Sequence, residues 1–112
     1  MSEWSKWRPF PDPRQGGYLT APFGPGVYEL HDKGSDRYVL CGIGGCVAYR
    51  MCSLLPAPFG RGTRNNQEKR DYVLDHLQEI KYRTVACPSR AEASEIERKL
   101  RSDKDRDYIF PT

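Results

Sequence analysis

Residues 26–50 read GVYELHDKGSDRYVLCGIGGCVAYR, and the order of residue types in this stretch decides the fold. Gly26 to Leu30 is a short apolar and aromatic run with the composition of a strand. His31 to Asp36 (HDKGSD) is a turn, with Gly34 free to take a positive φ. Arg37 to Ile43 is a second strand whose alternation sets Tyr38 and Leu40 on one face, opposite Val39 and Cys41. So short a turn between neighbouring strands predicts an antiparallel hairpin. Gly44 and Gly45 then form an elbow into a helix that carries Tyr49 and Arg50. Val47, Met51, Leu54 and Leu55 recur there at helical spacing and define a buried stripe. Arg50 falls beside that stripe, where a guanidinium calls for an anionic partner.

Upstream, residues 1–25 hold Pro9, Pro11, Pro13, Pro22 and Pro25, which argues against regular structure. Trp4, Trp7, Phe10 and Tyr18 are too many aromatics for a free tail, so an irregular arm that caps one side of the core is expected. Stacking of exposed bases on Trp4 or Trp7 is the alternative use of those rings.

Downstream, Pro56 and Pro58 stop the helix, and Pro56 to Asn66 (PAPFGRGTRNN) forms a long basic loop. Asn65 or Asn66 caps a helix that runs to about Glu79, with Val73, Leu77 and Ile80 apolar. Ile80 to Cys87 alternates and is rich in β-formers, a third strand. Ser89-Arg90-Ala91-Glu92 is a capping box that opens the last helix. Ala93, Ile96 and Leu100 mark its buried face, and Glu97 falls on that same face. A carboxylate there is costly unless it is paired or holds a cation. The segment Tyr108 to Pro111 is expected to dock as a final short strand.

The predicted class is therefore α+β, a small three-stranded antiparallel sheet flanked by about three helices. At 112 residues the chain makes one domain, residues 26–112, preceded by the arm of residues 1–25. A content of 38% hydrophobic and 29% charged residues belongs to an ordinary globular chain. No run approaches twenty apolar residues, so no membrane partner is expected. The N-terminus lacks the pattern of a secretory signal, which leaves a cytoplasmic location as the expectation. Cys41, Cys46, Cys52 and Cys87 form no Cys-x-x-Cys pair and read as free thiols. Charge is unevenly spread. Residues 37–70 carry six cations against the single acid Glu68, a local excess of +5 on a chain of net +3. Such a segment fits an anionic partner, phosphate above all, or equally a solvated loop.

Gly26-Val27-Tyr28, a second strand ending at Gly42, Arg50 eight residues further on, and Glu97 within Ala93-Ser94-Glu95-Ile96-Glu97 together resemble the GIY-YIG nuclease family. The family carries a Gly-Ile-Tyr or Gly-Val-Tyr triplet and a Tyr-Ile-Gly triplet at the end of the next strand. An arginine follows the elbow, and a glutamate stands in an Ala-x-x-x-Glu pattern on a later helix. The likeness covers most of residues 26–112. It departs at Leu40, which occupies the slot of the second tyrosine. Met51, Cys52 and Ser53 stand where a histidine is often found, and the family's C-terminal asparagine is missing.

The resemblance implies a metal-dependent DNA endonuclease. Glu97 would hold one Mg²⁺ or Mn²⁺, and Arg50 would contact the scissile phosphate. Tyr28 would orient or deprotonate the attacking water, and Tyr38 would partly serve for the missing tyrosine. Arg61, Arg64 and Lys69 would touch backbone phosphates outside the active site. A partner chain supplying specificity, and a monomer or homodimer, are both compatible with so small a module. Without the motif, Tyr28 is a core-edge aromatic, and Arg50 with Glu97 a structural ion pair between helices. A catalytically weak or inactive module of the same fold, binding nucleic acid or protein, is the rival.

Overall fold

The computed structural model describes residues 3–55 and 67–111. The basic loop, the proposed asparagine caps, Arg61 and Arg64 lie outside the described residues. Strands β1 (Arg8–Pro9), β2 (Gly26–Asp32), β3 (Arg37–Gly44) and β4 (Ile80–Ala86) form one antiparallel sheet in the order β1-β4-β2-β3. Helix α1 (Val47–Met51) runs on into a 3₁₀ turn, Cys52–Leu54. Helix α2 spans Gln67–Asp75 and α3 spans Arg90–Arg101. The α+β class is as expected from sequence, with four strands rather than three. The added strand comes from the proline-rich arm. Arg8 and Pro9 pair with Tyr82 and Lys81 at the outer edge of β4, where a missing proline N–H costs no ladder bond. Phe10 follows into the core, its N–H donating to the Ile80 carbonyl at 2.9 Å.

Strand β2 lies between β3 and β4 and is covered on both faces, so Gly26 to Leu30 are buried without alternation. On one face Tyr28, Leu30, Leu40 and Tyr82 pack against Val47, Met51, Leu54 and Val73 from α1, its 3₁₀ extension and α2. The stripe expected for α1 is thus the stripe observed. On the other face Val27, Val85 and Cys87 pack against Ala93, with Ile96, Leu100 and Trp4 closing the edge. Ser89 Oγ accepts from the Glu92 N–H at 3.2 Å and starts α3 as its sequence predicts. Helix α2 stops at Asp75, short of Glu79, and Ile80 belongs to β4 instead. Among the described residues no helix is long and apolar enough to cross a membrane.

Three details depart from the sequence reading. The pairing of β2 with β3 slips between Leu30 and His31. Leu30 faces Leu40 but His31 faces Tyr38, leaving Val39 as an extra residue. The slip breaks the alternation, so Tyr38 turns to the face opposite Leu40. In the hairpin turn, Asp36 takes the left-handed conformation (φ 55°), not Gly34. Finally, Tyr108 to Phe110 dock without forming a strand. Ile109 N–H and Phe110 N–H donate to the carbonyls of Tyr38 and Val39 at 3.0 and 2.9 Å and cover part of the outer edge of β3.

The hairpin turn is tied to α2 through Asp32. Its carboxylate accepts from Tyr72 Oη at 2.6 Å and from the Gly34 N–H at 2.9 Å. Burial opposes the charge, but the Tyr72 hydroxyl and the turn N–H groups outweigh it and hold the Asp32 carboxyl below its ordinary value. A depressed carboxyl contributes stability above its unfolded pKa of about 3.9, lost as pH falls through the lower folded value. Tyr72→Phe is therefore expected to cost about 1–2 kcal/mol at pH 7 by urea denaturation. The deficit should shrink as the pH is lowered toward 3. A pH-independent deficit would mean that ring packing, not the charge, is what the hydroxyl supports.

Candidate functional site

Tyr28 pairs directly opposite Gly42 across the β2–β3 ladder. A Cβ at position 42 would lie 2.5 Å from Tyr28 Oη and 2.6 Å from its Cζ. The ring thus lies against the bare backbone of Gly42, and its hydroxyl is carried to the sheet edge where the C-terminal tail no longer covers β3. Gly44 does the same for Arg50, whose Cγ would lie 2.5 Å from a Cβ at that position. From the opposite face α3 brings Arg90, Glu97 and Arg101 to the same edge, and α2 contributes Lys69. With Cys41, these residues line a cleft of about 240 Å³ around the glycine elbow.

Four cations and one carboxylate give this cleft a formal charge of +3. Arg101 Nη2 donates to Glu97 Oε2 at 3.3 Å and to the Cys41 carbonyl at 3.0 Å, and its Nη1 donates to the Pro111 carbonyl. It brackets α3, the edge of β3 and the C-terminal tail. The second Glu97 oxygen has no hydrogen-bond partner among the described residues. Glu97 stands at the cleft rim with 23% of its side chain exposed, rather than inside the buried stripe of α3. The ion pair it makes is with Arg101, and the Arg50–Glu97 pair considered from sequence is not among the pairs of the described residues.

Burial dominates the protonation of Tyr28. It raises the phenol above the ordinary tyrosine value, and the opposing field of Arg50 does not reverse it. Tyr28 is a neutral hydroxyl at neutral pH. Burial also lowers the Lys69 ammonium below its ordinary value, reinforced by the like charges of Arg101 and Arg50. The Cys41 thiol is raised by burial and stays protonated.

The cleft brings together Tyr28, Arg50 and Glu97, and leaves Tyr38 out. Tyr38 packs on the other face among His31, Trp7 and Tyr108, with the Arg106 guanidinium 4.7 Å above its ring. The bulge at Val39 is the physical reason. Leu40 is buried in the core at 2% exposure and does not reach the cleft. Lys69, expected at the periphery, lines the cleft itself. Sequence reasoning missed Arg90 and Arg101. Arg101 stands four residues after Glu97, a spacing that brings opposite charges together on a helix and was available as a signal. Arg90 carries no such signal, since capping explains its position.

Among the described residues no three His, Cys, Asp or Glu side chains cluster as a metal cage. Glu97 is the one carboxylate among the described lining residues, and a hard divalent ion held there would need phosphate and water for its other ligands and phosphate to offset the neighbouring cations. No protein-family model, no curated protein and no solved structure matches this chain.

Proposed function

We propose that this protein is a metal-dependent DNA endonuclease of the GIY-YIG type, hydrolysing phosphodiester bonds in the cleft at the edge of β3. The observation that carries this reading is the convergence of Tyr28, Arg50 and Glu97 on one polar cleft. These residues come from a central strand, a short helix and a helix on the opposite face, and Gly42 and Gly44 leave room for the side chains of Tyr28 and Arg50.

Arg50 and its neighbouring cations hold the phosphate of the scissile bond, with the planar guanidinium matching two phosphate oxygens. Tyr28, kept protonated by burial, orients the attacking water through its hydroxyl and does not serve as its base. Glu97 would hold Mg²⁺ or Mn²⁺ through the oxygen that Arg101 leaves free, with Arg101 fixing the carboxylate through the other. The ion supplies charge neutralisation at the phosphate when bound. DNA is bound chiefly through its backbone, so affinity falls with salt and carries little sequence choice. Specificity then comes from DNA shape or from a partner chain.

The reading is tested by incubating supercoiled plasmid and branched DNA with the protein in Mg²⁺ or Mn²⁺ and in EDTA, beside Glu97→Gln. Nicking that requires the ion and disappears in Glu97→Gln is the expected result. One observation favours a second reading, a catalytically silent nucleic-acid-binding module: Leu40 fills the core where the family's second hydroxyl would stand. Salt-sensitive DNA binding with no cleavage by either protein would establish that reading in place of the first.

A further inference from the structure

We propose that Lys69 is a catalytic residue of this cleft, the group that protonates the leaving oxygen when the phosphodiester breaks. The proposal rests on the nuclease reading of the same site and names a role that the motif residues leave unfilled. Hydrolysis needs a proton for the departing alkoxide, because an unprotonated sugar oxygen is a poor leaving group.

The titratable and charged groups that line the cleft with Lys69, among the described residues, are Tyr28 from β2, Cys41 from β3, Arg50 from α1, and Arg90, Glu97 and Arg101 from α3. The three guanidiniums do not surrender protons in proteins. Glu97 is paired with Arg101 and offers its remaining oxygen to a cation. Tyr28 is turned to the attacking water in this reading, and Cys41 is a buried neutral thiol. Leu40 supplies no hydroxyl, and both histidines lie elsewhere. His31 sits beside Asp36 and Trp7, and His76 stacks on Tyr72. Among the described residues of the cleft Lys69 is what remains, and its surroundings suit the task. Burial, and then the like charges of Arg101 and Arg50, weaken its hold on a proton.

The step balances simply. The water oxygen bonds to phosphorus as the bond from phosphorus to the leaving sugar oxygen breaks, its electron pair passing to that oxygen. Lys69 Nζ gives the oxygen a proton and becomes a neutral amine. The proton lost by the water passes to solvent, and solvent reprotonates the lysine.

A bridging phosphorothiolate separates this role from simple phosphate binding, because a thiolate departs without needing a proton. Branched duplexes with oxygen or sulfur at the leaving position are cleaved by wild type, Lys69→Ala and Lys69→Arg in single-turnover assays, after circular dichroism confirms that each is folded. Lys69→Ala is expected to lose about 10²–10⁴-fold on the oxygen substrate and to return to about wild-type rate on the sulfur one. Lys69→Arg keeps the charge but should not restore the oxygen substrate. The alkaline fall in the wild-type rate, as the amine deprotonates, should be absent from Lys69→Ala. Equal losses on both substrates, or full activity of Lys69→Arg on the oxygen substrate, would reduce Lys69 to a phosphate clamp. If wild type cleaves but Lys69→Ala is unimpaired, this role alone fails. If wild type cleaves neither substrate with metal present, the nuclease reading fails and takes the role with it.

Discussion

Glu29→Ala is expected to lose roughly 3–5 kcal/mol of folding stability. Glu29 is the fully buried carboxylate of β2, on the face opposite Tyr28. One oxygen accepts from Arg83 at 2.8 and 2.9 Å, and the other from Arg106 Nε at 2.8 Å and from Tyr108 Oη. Arg83 lies under Trp4 and Trp7, its guanidinium carbon 4.1 and 4.8 Å from their rings. Arg106 is held in turn by Asp103 at 2.7 Å and by the face of Tyr38. One carboxylate therefore fastens the N-terminal arm and the C-terminal tail to the central strand. Removing it strands two mostly buried guanidiniums and a phenol, and the penalty comes from those orphans more than from the lost attraction.

At about 4 °C per kcal/mol for a domain of this size, Tm should fall by roughly 12–20 °C. Trp4 and Trp7 fluorescence should report an early loosening of the arm. A loss under about 1 kcal/mol, with both tryptophans unmoved, would mean that packing alone holds the termini. The Tyr108 phenol gives an independent check. Burial, and then its bond to Glu29, raise its pKa above the ordinary value. A raised phenol contributes stability that is complete below the unfolded pKa of about 10 and is lost as pH climbs beyond it. Glu29→Ala should flatten that alkaline decline.

The second large effect is expected at Gly42. A methyl there would lie 2.5 Å from Tyr28 Oη and 2.9 Å from its Cε1, against a ring that is 6% exposed. Gly42→Ala should cost about 1–3 kcal/mol as an overpacked core does, and should also displace the hydroxyl that lines the cleft. Its neighbours separate the two consequences. At Gly44 the methyl would meet the flexible Cγ of Arg50, so Gly44→Ala should spare stability and weaken phosphate binding. At Gly45 the nearest atom is Arg90 Cδ at 4.0 Å, and Gly45→Ala should fall within about 0.5 kcal/mol of wild type in both respects. Thermal melts and salt-dependent DNA binding of the three variants give the comparison. Equal tolerance of alanine at 42 and 45 would overturn the account of how Tyr28 reaches the edge.

The sequence was most legible where local chemistry and burial agree. The hairpin, the elbow, the stripe of α1 and the Ser89 cap follow from short-range patterns, and the structure keeps each of them. The candidate site was legible in its chemistry-bearing residues, Tyr28, Arg50 and Glu97, because each is a polar group beside a glycine or an apolar stripe. What those residues touch was not legible. Helical spacing put Glu97 near the core and offered Arg101 as its partner four residues on, but could not tell whether Arg50 would reach it as well. That reach depends on the angle at which α3 crosses the sheet. Nor could composition make the proline-rich arm a strand, since edge pairing depends on the vacant side of β4 and not on the arm's own propensity.

Tyr38 draws the line most clearly. Strand alternation is a rule of period two, so from sequence alone Tyr38 and Leu40 share a face. One extra residue at Val39 reverses that, and it is accepted because His31, Tyr38 and Tyr108 then stack together while Val39 and Leu40 both fill the core. The sequence by itself determined the hairpin, the third strand after it, the three helices, their order, and the polar side chains that stand out along the chain. Only the tertiary structure decided which of those side chains share a cleft, because register and helix crossing are set by packing between residues dozens of positions apart.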